Sequence, residues 1–302
     1  MEFYREIPVY GPFNLRNALD IIQRIDQPHR QSNHIDRYIF THETPGGAVA
    51  VMVCQSEPDG FVSVRISGDL ANDQVAEEVV LTVSRMFSLT VDPADFFDQT
   101  RNDEFLNRLA SRHPDLRPIL FTTPFEAALR LLIGHNLTGY QSAALIANVR
   151  EVCGIVPAGK PHSPPAFPGK YTLLSVPDRL LAVAGLPVLK IRMVKLFVSS
   201  LAADPDPLEE VFHITNPVRA REKLLQLPGI DRQSADFLLQ RAYGFQDILT
   251  THPYLIRAVK RYYHLKRLPD EDTIAIIAEP FIPWRSWWSF LLQIADQVAT
   301  VV

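Results

Sequence analysis

The sequence predicts a mainly α chain that opens with a small antiparallel α+β unit. Three observations predict it. β-Branched and aromatic runs, Tyr38 to Thr41, Ala48 to Cys54 and Phe61 to Ile66, sit in the first third, with Gly46-Gly47 and Asp59-Gly60 as turns between them. From about residue 92 onward the apolar residues recur at helical spacing instead. Between two of those helices, Leu224 to Tyr243 (LLQLPGIDRQSADFLLQRAY) places a Pro-Gly turn ahead of a new helix.

In the first unit, Phe61 to Gly68 alternates as a half-buried strand should. Asp69 to Leu89 then turns helical, with Val75, Val79, Val80, Val83, Met86 and Phe87 three and four apart. Residues 1–90 therefore read as an α+β domain, 91–122 as linker helices, and 123–302 as a helical region of two lobes. Thr123-Pro124-Phe125-Glu126 opens a helix with a cap, a first-turn proline and a capping-box glutamate. A second helix runs from Tyr140 to Gly154. Residues 157–170 are proline-rich and poor in apolar side chains, which predicts an exposed loop. Further helices are expected near 177–184, 187–203, 216–226, 233–243, 252–263 and 284–300.

The chain has 302 residues, 47% hydrophobic and 21% charged, an ordinary globular balance. No apolar run approaches the roughly 18 residues of a membrane span, so no membrane partner is expected. The start, MEFYREIPVY, lacks a basic segment followed by an apolar one, and no secretory leader is expected. Cys54 and Cys153 lie far apart, which argues against a zinc site or a disulfide framework and for a reducing, cytoplasmic setting. A net charge of -4 does not advertise nucleic-acid binding, so any such surface must be a local basic patch.

The Pro228-Gly229 turn has the physics of a phosphate site. Gly229 can take positive φ. Main-chain N–H groups at the turn and at the start of the next helix point outward, where the helix dipole favours an anion. The string L-P-G-I-x-x-x-[ST]-A reads as a helix-hairpin-helix. Asp231 is discordant: it either repels a phosphate or caps the second helix.

The chain resembles the helix-hairpin-helix DNA glycosylases, closest in pattern to the 3-methyladenine DNA glycosylase II family. Ser84 to Phe96 (SRMFSLTVDPADF) is similar to that family's linker helix. Arg112 to Pro118 (RHPDLRP) matches its R-x-P-G-L-R signature with Asp115 for Gly. Thr123 to Ile146 is similar to its helix pair with His135 for Gln, and PWRS (Pro283 to Ser286) is intact. The resemblance implies a helix-hairpin-helix glycosylase fold behind the small antiparallel domain. It implies a monomer acting on duplex DNA with damaged or abasic sites, flipping an alkylated base from the stack and hydrolysing its glycosidic bond. It also implies DNA contacts at Gly229, Ile230, Asp231, Arg232, Gln233, Ser234, Arg257 and Arg285. His135 and Phe237 are base-pocket candidates, and so are Trp284 and Trp287, for which core packing is the alternative. No cofactor or metal is expected, with a monovalent cation at the hairpin main chain left open.

The family's catalytic carboxylate is missing. It belongs after the hairpin, where this chain reads Asp247 to Arg257 (DILTTHPYLIR), and its place falls on Pro253. Pro253 suits the first turn of a helix, with Thr250 or Thr251 as cap. Asp247 and His252 are the weak substitutes. His252 to Arg267 holds five basic residues and no acid, including Arg257, a candidate phosphate surface. Three readings stay open: an enzyme, a DNA-lesion binder without excision, and a scaffold for protein contacts.

Overall fold

The computed structural model describes residues 1–26, 37–58, 60–160, 162–202 and 206–299; Asp59 of a predicted turn, Pro161 of the predicted loop, and the predicted helix ends at 203 and 300 lie outside them. Strands β1 (Glu2–Ile7), β2 (Arg37–Thr44), β3 (Gly47–Gln55) and β4 (Val62–Ser67) form one antiparallel sheet in the order β1-β4-β3-β2. β2 and β3 are a hairpin, in register from Arg37 opposite Cys54 to Thr44 opposite Gly47. β1 carries one fully buried side chain, Ile7, so it left no apolar run to read.

The helices are α1 (Leu15–Asp26), α2 (Asp73–Met86), α3 (Ala94–Thr100), α4 (Glu104–Arg112), α5 (Pro124–Gly134), α6 (Gly139–Cys153), α7 (Lys170–Ser175) and α8 (Asp178–Val183). They continue as α9 (Val188–Ser200), α10 (Pro207–Glu210), α11 (Pro217–Leu224), α12 (Arg232–Leu238), α13 (Pro253–Tyr262), α14 (Glu271–Ala278) and α15 (Arg285–Ala299). Thr123 caps α5 by accepting the Glu126 N–H at 3.0 Å, but the Glu126 carboxylate turns to Arg130, so only half of the expected capping box forms.

Two hydrophobic cores divide the molecule. One joins the sheet and α2 to residues of α13, α14 and α15, among them Val51, Val83, Leu255 and Trp288. The other is built from α5 to α12 and includes Leu129, Val194, Leu224 and Leu238. The chain enters the second core at α5 and returns to the first at α13. Residues 244–252 therefore cross between the cores just after the hairpin.

The proline-rich stretch is not the exposed loop its composition predicts. Ala166 and Pro168 are buried and Phe167 half-buried. The Thr41 hydroxyl of β2 donates to the Pro164 carbonyl at 2.6 Å, and Glu43 accepts the Thr172 hydroxyl at 2.8 Å. Proline has no N–H to leave unsatisfied, so this backbone can lie between lobes without a hydrogen-bonded ladder.

Candidate nucleic-acid interface

The hairpin is α11, a tight turn and α12. Asn216 caps α11 at its start. The α-helix stops at Leu224, and single turns carry it on to Leu227. Gly229 takes φ +79° and is exposed. A Cβ there would meet Leu132 Cδ2 at 2.6 Å and Met193 Sδ at 2.9 Å. Glycine thus lets the turn settle on α5 and α9 while its outer edge stays in solvent. Asp231, Arg232 and Gln233 are exposed beside it.

Asp231 is the cap of α12. Its Oδ1 accepts the Ser234 N–H at 2.7 Å, and that bond holds its carboxyl below the usual range, so it is ionised at neutral pH. The Ser234 amide is thereby spent on Asp231 rather than offered outward. Ile230 is corrected in the same way: its side chain is 6% exposed and its N–H donates to the Leu227 carbonyl at 3.2 Å. The outward-facing part of the hairpin is reduced to Gly229, Arg232 and Gln233, with a fixed negative charge among them.

The crossing segment is tied at every step. Arg285 grips Asp247 with two parallel bonds, Nε to Oδ1 at 2.6 Å and Nη2 to Oδ2 at 2.9 Å. The Ser286 Oγ accepts the Ile248 N–H at 3.0 Å, and the Thr250 hydroxyl donates to Gln240 Oε1 at 3.0 Å. Arg285, expected at DNA, is therefore engaged with Asp247, and Asp247 is held as an acceptor for Arg285.

Pro253 stands in the first turn of α13. The predicted threonine caps are used elsewhere, Thr251 on Glu271 at 2.7 Å. His252 caps instead, its Nδ1 accepting the Tyr254 N–H at 3.3 Å. Burial, then Arg257 and Arg241, lower the His252 pKa, so the ring is neutral at pH 7. The His252 and Tyr254 rings stack at 5.1 Å and 11°, and the Arg257 guanidinium lies 4.6 Å from the Tyr254 centroid. Tyr254 is 40% exposed and reaches across to the start of α6, where a Cβ on Gly139 would be 3.5 Å from its Oη. A stack of His252, Tyr254 and Arg257 thus occupies the place expected for a carboxylate.

Of the base-pocket candidates, the two tryptophans lie in the core. Trp284 and Trp287 are 7% and 3% exposed and pack on Phe96 of α3. Withdrawing either ring from that core costs on the order of 3 kcal/mol. His135 is exposed at the end of α5, near enough to Asp231 to act on its charge. Phe237 is half-buried against Phe121, with centroids 5.9 Å apart.

Phe121 in turn lines a cavity of about 1070 Å³ between β2 and the second lobe, which sequence reasoning missed. Tyr38, Phe40, Phe125 and Phe167 add aromatic walls. Glu126 Oε1 accepts Arg130 Nε at 2.9 Å and Nη2 at 2.7 Å, and Arg150 approaches it at 3.7 Å. Arg241 also lines the cavity and lies between two rings, 5.9 Å from the Phe121 centroid and 5.4 Å from that of Phe290. Among the described residues no group of three His, Cys, Asp or Glu side chains could hold a metal ion, and no helix is long and apolar enough to cross a membrane.

The fold has counterparts among solved structures. The 3-methyladenine DNA glycosylase of Archaeoglobus fulgidus superposes with a TM-score of 0.82 at 20% identity, over 99% of this chain and 100% of that one. DNA-3-methyladenine glycosylase 2 of Escherichia coli K12 is 27% identical over 220 residues, 71% of each chain. The chain is similar to the helix-hairpin-helix DNA glycosylases, and among them to the 3-methyladenine type. The fold is also that of the 8-oxoguanine glycosylase/lyase of Clostridium acetobutylicum, solved with duplex DNA containing cytosine opposite 8-oxoguanine (TM-score 0.66, 17% identity, 99% of this chain and 98% of that one). No protein-family model matches the chain.

Proposed function

We propose that this chain binds damaged or abasic duplex DNA as a monomer on a glycosylase scaffold and does not hydrolyse the glycosidic bond. The observation that carries this reading is the start of α13. Pro253 supplies no carboxylate, Asp247 is bound to Arg285 through both oxygens, and His252 is a neutral cap.

The sign of the local charge points the same way. Bond breaking at C1′ develops positive charge on the sugar, which a carboxylate stabilises. Here Arg241 and Arg257 set a positive field around His252. That field opposes an oxocarbenium-like state and suits a phosphate or an intact nucleotide. Gly229, Arg232 and Arg257 provide the exposed contacts, and the Tyr254 stack accepts an unpaired base.

The test is anisotropy of a labelled duplex with a tetrahydrofuran abasic site, titrated at two salt concentrations. Tighter binding than to undamaged duplex, weakening as salt rises, supports the reading. Equal, salt-insensitive binding would assign the scaffold to protein contacts.

A further inference from the structure

We infer that α13 and the turn after it form a basic stripe, through Arg257, Lys260, Lys266 and Arg267, that holds one flanking arm of the duplex. This rests on the DNA-binding role proposed above and names the part of the duplex that this surface serves.

The packing of α13 builds the stripe. Leu255, Ala258 and Val259 are buried in the first core. Arg257, Lys260 and Arg261 stand three and four residues apart on the opposite face. Arg257 is exposed, with its guanidinium 4.6 Å from the Tyr254 centroid, so the stripe begins at the ring stack. At the other end His264 takes φ +52°, and the Leu265 N–H donates to the Lys260 carbonyl at 2.9 Å. The chain is thereby folded back on the end of the helix. Leu265 is half-buried and Pro269 buried, so Lys266 and Arg267 are exposed on an anchored turn.

The charge of the stripe is uncompensated. Arg261 is paired with Asp296 at 3.5 Å. Arg257, Lys260, Lys266 and Arg267 form no ion pair among the described residues. Three acids follow at once without pairing to them. Asp270 caps α14 by accepting the Thr273 N–H at 2.9 Å, Glu271 accepts the Thr251 hydroxyl at 2.7 Å, and Asp272 stands in the first turn of α14. A helix C-terminus attracts cations, which accounts for Lys260, but Lys266 and Arg267 lie beyond the helix. Like charges held this close repel one another, and a polyanion relieves that repulsion.

A nucleic-acid backbone also fits the length. α13 rises about 1.5 Å per residue, so the stripe covers roughly 12 Å from Tyr254 to Tyr262. One strand of a duplex rises about 3.4 Å per nucleotide, so this spans about three to four phosphates to one side of a nucleotide held at the stack.

Anisotropy with tetrahydrofuran duplexes tests this. One duplex has long arms on both sides of the lesion, and two others are cut close to it on the 5′ or the 3′ side. We expect one truncation to weaken binding more than the other. The double variant Lys266→Gln/Arg267→Gln should bind the long duplex no more tightly than that truncated one. It should also lower the slope of log affinity against log salt by about two, since each phosphate contact contributes roughly 0.9. Its melting temperature and its preference for tetrahydrofuran over undamaged DNA should be kept, which a merely structural pair would not allow. Equal effects of the two truncations, or an unchanged slope in the double variant, overturn the inference. If the tetrahydrofuran preference stands in that case, only the flanking-arm contact fails. If the unmodified protein shows no such preference and the slope still falls in the variant, the stripe stands and the lesion-binding reading fails.

Discussion

Asp247 and Arg285 form a two-point ion pair between the segment leaving the hairpin and the first residue of α15. This pair gives the PWRS motif a structural role, stapling the crossing segment, with Ser286 bonding Ile248 beside it. Both side chains are about a third exposed, 27% and 31%, so solvent screens the pair. Asp247→Asn should lower stability by about 1 kcal/mol, and a double-mutant cycle with Arg285→Met should show coupling of similar size. Chemical denaturation of the four proteins measures it; additive losses would show that the staple is not energetic.

His252 predicts a pH dependence. Its folded pKa is depressed, so as pH falls the unfolded chain takes up the proton first. The contribution is fully present well above about pH 6.5 and is lost as pH drops through that value toward the lower folded pKa. His252→Asn keeps a capping side chain without the titration. Melting curves between pH 7.5 and about 5 should show the unmodified protein losing more stability than the variant; parallel curves would remove His252 from the account.

Much of this could be read from the residues themselves. The hairpin was legible because Pro228-Gly229 and the small Ser234-Ala235 pair constrain the backbone locally. Asp231 as a cap followed from the same local rules. The cavity was not legible, because Tyr38, Phe121, Phe167 and Arg241 come from four distant segments and meet only when two cores pack. Trp284 and Trp287 stayed open between a base pocket and the core for a related reason. An aromatic residue near a helix start reads alike whether it faces a ligand or, as here, Phe96.

Asp231 should weaken DNA binding by charge while stabilising α12. Asp231→Asn retains a capping oxygen and removes the charge. Affinity for abasic duplex should rise by about fivefold at low salt, a gain of roughly 1 kcal/mol, and the gain should shrink as salt screens it. An unchanged affinity would show that no phosphate comes near Asp231.

Gly229→Ala should act on both stability and binding. The new methyl is strained at φ +79° and collides with Leu132 and Met193. A stability loss of about 1–3 kcal/mol is expected, with weaker binding to all duplexes alike. Full affinity in a variant that remains folded would show that the hairpin is not the DNA-facing element.

The central claim is that binding persists where bond cleavage has been lost with the carboxylate. The direct measurement is chromatography of free bases released from methylated duplex DNA, by the unmodified protein and by Pro253→Asp. An aspartate is tolerated in the first turn of a helix, and here it would stand beside a positive field. The account predicts release at the spontaneous rate with the unmodified protein and a clear rise with Pro253→Asp, within the factor of about 10²–10⁴ that a positioned acid–base group supplies. Release well above the spontaneous rate by the unmodified protein would contradict it.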